Sequence, residues 1–423
     1  MAMDQLDRMT AVLSLPPGHF YEQYIQECMV EAVPNWRRIK PFLYRCAELN
    51  KLECIKHIVQ LLMDNLTYSP LLFEVAEDFF IEARHEAAAL LYESVAVSER
   101  RQHSERLAFC QYRLFTLRLS EDQERNLQAA LQFEPFIDRL DEIDQLDALR
   151  DLANTYRSMR RWDRVESIAN EMEEKASAQL LFARQPLRKR QETDKKTKQP
   201  LFVYLALSYL FRASVCDSRG DYEQALRYNY AYADLNWVEE SDEESLRWVN
   251  LFKEWAHANI FVSKLLSGDQ SVLPEYVEFI GKNKDEVLTG LLNIMKAANQ
   301  YNLDVDDILE HFESEINVLT DQKQSKAMGL YAKLVISERS IRFLYELAHY
   351  HLRKKVYHTG FNNLLNALGK SVIMNNETYI LKCVRLFERY RVFSTEQMQQ
   401  NYQALLKEEE ENEKKIGVNV SGI

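Results

Sequence analysis

The chain has 423 residues, 65 acidic and 53 basic, for a net charge of −12, and 46% of them are hydrophobic. Glycine and proline number only 10 and 9, about 4% together against about 12% in an average protein, and no glycine occurs between Gly18 and Gly220. Sheet-rich folds draw on glycine for positive-φ turns, so the composition argues against sandwiches, dinucleotide-binding folds and phosphate-loop NTPases. The acidic balance argues against a surface that grips nucleic acid.

In chain order, the N-terminus (Met1-Ala2-Met3-Asp4-Gln5) lacks the basic-then-apolar run of a signal peptide. Leu6 to Leu15 reads as a helix, followed by Pro16-Pro17-Gly18-His19-Phe20-Tyr21 as a linker. From residue 34 the pattern becomes one of paired helices. A tetratricopeptide unit is a helical pair of about 34 residues, with small residues where the two helices cross and aromatics beside the crossing. Ala76, Phe79, Ala88 and Tyr92 fit it, with the small residues twelve apart. So do Ala153, Tyr156, Val165 and Ala169; Ala213, Cys216, Ala225 and Asn229; and Ala348, His351, Gly360 and Leu364. The clearest turn and second helix is Gly220-Asp221-Tyr222-Glu223-Gln224-Ala225-Leu226. Weaker pairs occupy 35–49 with 51–66, 104–119 with 123–140, 245–267 with 271–281, 286–302 with 304–319, and 376–392 with 394–412.

The predicted fold is all-α: a right-handed tetratricopeptide-like superhelical solenoid of about nine helical hairpins. Its expected divisions are an N-terminal helix and linker over 1–33, a first half of the array over 34–184, a basic flexible loop over 185–200, a second half over 201–412 and a disordered tail over 413–423. The loop carries six basic and two acidic residues between Pro186 and Pro200 and reads as a solvated connection. The longest apolar stretch, Phe202 to Phe211, is about half the length a membrane-spanning helix requires. The six cysteines are scattered, with no C-x-x-C pair. They predict reduced thiols and a cytoplasmic location.

No pattern in the chain assembles catalytic chemistry. Gly369-Lys370-Ser371 imitates the end of a phosphate loop, but no strand precedes it. His349, His351 and His358 lie on different faces or about two turns apart and cannot share a metal locally. Cys54 and His57 lack further ligands nearby. The acidic stretches Asp138–Asp147 and Glu239–Glu244 sit at helix starts, where carboxylates suit the positive end of the dipole. No enzyme, cofactor or metal is predicted.

A binding surface remains. In a tetratricopeptide superhelix the first helix of each pair lines the concave face. The groove positions there are Asp147, Arg150, Asn154 and Arg157 in one repeat. In two others they are Leu207, Leu210, Ser214 and Asp217, and Arg342, Tyr345, His349 and Leu352. An asparagine flanked by arginines suits a peptide clamp, because the amide both donates and accepts and arginine pairs with carboxylates through two bonds. The expected contacts are Arg150, Asn154, Arg157, Leu207, Leu210, Ser214, Tyr345 and His349. At the C-terminal end, Ile380, Val384, Phe387 and Tyr390 form a stripe that reads as the cap of the preceding repeat and, failing that, as a dimer face.

Pro34-Asn35-Trp36-Arg37-Arg38, Phe42-Leu43-Tyr44-Arg45-Cys46-Ala47-Glu48-Leu49, Phe73-Glu74-Val75-Ala76-Glu77-Asp78-Phe79-Phe80 and Ser104-Glu105-Arg106-Leu107-Ala108 carry a family likeness. The array resembles the sensor half of Gram-positive bacterial regulators that join an Xre-type helix-turn-helix domain to tetratricopeptide repeats. It is close over 34–175, looser after 200, and similar in architecture to peptide-pheromone receptors of the Rap, NprR and PlcR type. The resemblance implies transcriptional regulation, quorum sensing through a short peptide in the groove, and a change of dimer state. The family's DNA-binding domain would precede the array, and only about twenty residues stand before Tyr21. The chain therefore reads as an excised sensor or a paralogue without its reader, with no direct nucleic-acid contact and no membrane contact. The alternative is a protein-interaction scaffold or antagonist without a small signal. A Rap-like phosphatase, acting through Gln23 or Gln26, is a third reading.

Overall fold

The computed structural model describes residues 3–30, 34–63, 65–100, 104–183, 197–321 and 330–420. These residues form a packed array of helices with no strand among them. Two compact units are distinguished: Met1–Arg118 with Ala129–Ala148, and Leu119–Gln128 with Leu149–Ile423. The division falls within α8 (Gln123–Phe133) and α9 (Glu142–Ser158), not at the basic segment 185–200, of which 185–196 lies outside the described residues.

The first unit begins with α1 (Met3–Val12) and α2 (Tyr21–Ile25), the latter running into one π-helical turn at Gln26–Val30. The pairs α3 (Trp36–Glu48) with α4 (Leu52–Leu62) and α5 (Ser69–Ile81) with α6 (His85–Ser98) follow, then α7 (Glu105–Arg118). Leu6, Tyr21, Tyr24 and Ile25 are buried in the same core as Phe42, Phe79 and Tyr92, so the N-terminal segment packs as part of this unit. Between α5 and α7, Arg113 grips Glu77 through two bonds (Nε–Oε1 2.9 Å, Nη2–Oε2 2.6 Å). Its guanidinium lies over the rings of Phe80 and Phe109, at 4.1 and 4.7 Å.

The second unit continues from α9 through α10 (Trp162–Ala183), α11 (Leu201–Arg219), α12 (Tyr222–Ala233), α13 (Glu243–Leu266) and α14 (Leu273–Lys282). Next come α15 (Val287–Tyr301), α16 (Asp306–His311), α17 (Glu313–Asp321), α18 (Leu330–Arg353), α19 (Tyr357–Ile373), α20 (Glu377–Tyr390) and α21 (Glu396–Val420). The main packing partners are near neighbours in the chain: α10 on α11, α11 on α12, α12 on α13, α15 on α18, and α18 on α19. Helix α11 is long and apolar enough to span a membrane, and 56% of its apolar window is buried inside the protein, as a core helix requires. Helix α21 extends to Val420, past the start of the tail expected at 413; its glutamates and lysines are strong helix formers. The five cysteines with described side chains are free thiols, and Cys46, Cys54, Cys110 and Cys383 are buried.

The scarcity of glycine has a structural counterpart. Among the described residues, nine helix ends close in the same way, with a left-handed residue followed by an amide that bonds back to the carbonyl five residues earlier. This is the Schellman turn. Its left-handed position is Gly220 or Gly268 in two cases, and otherwise Ser14, Asn50, Ala83, Arg160, Asn302, Lys355 or Asn375. The amides that follow bond at 2.8–3.0 Å, for example Lys51 N to Cys46 O, Arg84 N to Phe79 O, and Val356 N to His351 O. Side chains fill a position that glycine usually takes, so the chain turns tightly without it.

The twelve-residue interval between small residues also has a physical basis here. At Gly360 a Cβ would sit 2.7 Å from Leu352 Cγ and 3.1 Å from Leu352 N, where α19 crosses α18. At the C-terminal end the stripe on α20 is covered. Phe387 is fully buried, stacks on Tyr402 of α21 at 3.9 Å, and meets Phe361 of α19 edge-on at 5.2 Å.

Candidate functional site

Helices α9, α11, α13, α15 and α18 each carry polar residues that face a common cavity in the second unit, of about 130 Å³. Helix α9 and its closing turn contribute Arg157, Ser158 and Arg160; α11 contributes Ser214, Asp217 and Ser218. Asn259 comes from α13, Thr289, Asn293 and Lys296 from α15, and Glu338, Arg339 and Arg342 from α18. Among the described residues, α10 also reaches the cavity, through Trp162 at its start.

The lining holds five cations and two carboxylates. Glu338 is the main counter-charge. It is 5% exposed, its Oε2 lies 3.3 Å from Arg342 Nη1, and its Oε1 lies 4.0 Å from Arg160 Nη1. That Oε1 accepts no hydrogen bond among the described residues. Arg339 donates from Nη1 to Thr289 Oγ1 at 2.6 Å. Asp217 accepts from Ser263 Oγ at 2.8 Å, and Ser263 in turn accepts from Asn229 Nδ2 at 3.2 Å.

Burial and like-charge crowding act on these groups. Burial, reinforced by Arg342 and Arg160, pulls the Lys296 ammonium down to about 8. Burial and then Arg339 bring Arg157 down to about 10. Arg160 and Arg339 are lowered in the same direction, first by burial. Arg342 is the exception: burial opposes its charge, but Glu338 and its other acidic neighbours carry the net shift upward. Asp217 is pushed up to about 6 by burial, against the Ser263 hydrogen bond and the Lys296 charge.

Of the expected contacts, Arg157 and Ser214 line this cavity, as do the groove positions Asp217 and Arg342. Leu207 and Leu210 are 8% and 5% exposed and lie in the apolar packing of α11. An apolar helix of nineteen residues buries more than one face, so its leucines serve the core. Arg150 engages its neighbour Asp151 (Nε–Oδ1 3.0 Å), and Asn154 is half-buried one turn before Arg157. Tyr345 meets Tyr379 edge-on at 5.7 Å. His349, also on α18, is half-buried with its imidazole lowered by burial. Neither of the two lines the cavity.

Sequence reasoning missed Arg160, Lys296, Glu338 and Arg339. Its pattern assigned no groove positions to α13 or α15, whose small-residue signature is weak. One signal was present: Lys296 is the single charged residue in the mostly apolar run Leu291-Leu292-Asn293-Ile294-Met295-Lys296-Ala297-Ala298, and lysine is rarely placed in such a setting. Compared with known proteins, the chain matches no family model, no curated protein and no solved structure at a significant level.

Proposed function

We propose that the chain is a non-enzymatic sensor, built as a tetratricopeptide-like superhelical array, that takes a short peptide or an extended segment of a partner protein in a groove lined by its first helices. The carrying observation is the cavity whose lining comes from α9, α11, α13, α15 and α18 in succession. A lining rich in arginine, asparagine and serine suits recognition of a peptide backbone and its charged groups. A role in transcriptional regulation, with the signal passed on through a change in self-association, is the form of this proposal that the family likeness suggests.

The test is selection of displayed random peptides on the full chain and on Ser214→Trp. That substitution fills the cavity without changing its charge. The expected result is enrichment of a related set of sequences on the natural chain and loss of that set on the variant, with unchanged helical circular dichroism. No enrichment on the natural chain, or the same enrichment on both, would overturn the proposal.

A further inference from the structure

We infer that the cavity lined by α9, α11, α13, α15 and α18 is an anion site that takes a compact oxyanion bearing two or more negative charges, either a phosphate group or a pair of carboxylates. The inference rests on the groove reading above and names the group that the groove would hold deepest.

The first argument is charge. Taking a cation out of water is costly unless a counter-charge or hydrogen bonds replace the water. The lining holds three more cations than carboxylates. Lys296 faces Arg342 and Arg160, offset by Glu346 and Asp217; Arg157 lies 6.0 Å from the Phe211 ring and faces Arg339 and Arg342, offset by Tyr232 and Glu338. Glu338 is shared between Arg342 and Arg160 and is too little for both. Such an arrangement lowers stability in the empty protein and is relieved by an anion.

The second argument is geometry. Arg160 occupies the left-handed position of a Schellman turn, with φ 58°. Glycine would hold that turn with less strain. The arginine instead brings a guanidinium to the cavity. Guanidinium groups offer paired donors that match phosphate and carboxylate oxygens. The third argument is size. The cavity of about 130 Å³ is well below the roughly 300–1,000 Å³ of sites for drug-sized ligands, so it suits one charged group of a larger ligand.

The experiment titrates inorganic phosphate and, separately, succinate into the full chain at constant ionic strength set with chloride. Binding is followed by calorimetry, thermal unfolding and tryptophan fluorescence, with Trp162→Phe as the control for the local reporter. The expected result is that at least one of the two anions binds and raises the melting temperature. Lys296→Met and Arg160→Gly should each weaken that binding about tenfold or more, while raising the melting temperature of the anion-free protein. A residue with a merely structural role would lower it.

Phosphate binding without succinate binding identifies a phosphoryl group, and the reverse identifies paired carboxylates. No binding of either anion, or equal binding by the natural chain and Lys296→Met, would overturn the inference. The two proposals fail separately. Peptide selection that is lost in Ser214→Trp but unchanged in Lys296→Met keeps the groove and removes the anion site. Anion binding that depends on Lys296, with no peptide selected, does the opposite.

Discussion

Asn375 donates from Nδ2 to Asp122 Oδ2 at 2.7 Å, across 253 residues of sequence. Beside it, Gln123 N donates to Met374 O at 3.0 Å. The segment that opens the second unit is thus tied to the turn between α19 and α20, and the helices that line the cavity lie between these points in the chain. Asn375 also holds a left-handed conformation, φ 47°, which asparagine tolerates better than most residues. Asn375→Gly keeps the backbone and removes the bond. Amides at 123–128 should then exchange faster, with a loss of about 1 kcal/mol in denaturant unfolding. Asp122→Ala should lose more, because Asp122 Oδ1 also accepts from Arg125 N at 3.0 Å at the start of α8, and the double variant should lose less than the two losses added together. Full additivity would show that the bond carries no coupling.

Lys296 and Asp217 set opposite slopes in stability against pH. Lys296 titrates near 8 when folded against an ordinary 10.5, chiefly through burial and then Arg342. The unfolded chain therefore binds that proton more tightly, and stability from this group rises from about pH 8 to about pH 10.5. Asp217 titrates near 6 against an ordinary 3.8, through burial. Here the folded chain holds the proton more tightly, so stability falls from about pH 4 to about pH 6. Between those windows both charges burden the folded state. Thermal unfolding across pH should show the alkaline rise reduced in Lys296→Met and the acid-side fall reduced in Asp217→Asn. Curves parallel to that of the natural chain would contradict this account.

In the first unit, Glu77 accepts both bonds of Arg113 and the Tyr92 hydroxyl. Removing one partner of a half-buried pair strands the other charge between Phe80 and Phe109. Glu77→Ala should cost about 3 kcal/mol, at the low end of the range for breaking buried pairs. Replacing both residues, as in Glu77→Leu with Arg113→Met, should recover part of that loss in urea unfolding. If the single variant lost less than about 1 kcal/mol, the pair would be behaving as an exposed one.

Gly360, where the sequence asked for a small residue, lies where α19 crosses α18. Gly360→Ala places a methyl 2.7 Å from Leu352 Cγ and should cost about 1–3 kcal/mol by overpacking. In an open helix the same change would stabilise by up to about 1 kcal/mol. The sign of the change in melting temperature decides between the two.

The sequence by itself determined the helical class, the pairing of α5 with α6, α11 with α12 and α18 with α19, and several helix ends. Amphipathic spacing, small residues at crossings and the lack of glycine are local properties, and each acts within one hairpin. Ala348 with Gly360 and Gly220 with Asp221 are legible for that reason. Arg157, Ser214, Asp217 and Arg342, which the repeat pattern assigned to a groove, line the cavity. Tertiary structure decided what register does not reach. It set Leu207 and Leu210 into the core and Tyr345 and His349 outside the cavity. It also brought Lys296, Arg160, Glu338 and Arg339 together with Arg157. That gathering depends on how five helices from distant parts of the chain meet, and the charge that accumulates where they meet belongs to no single segment.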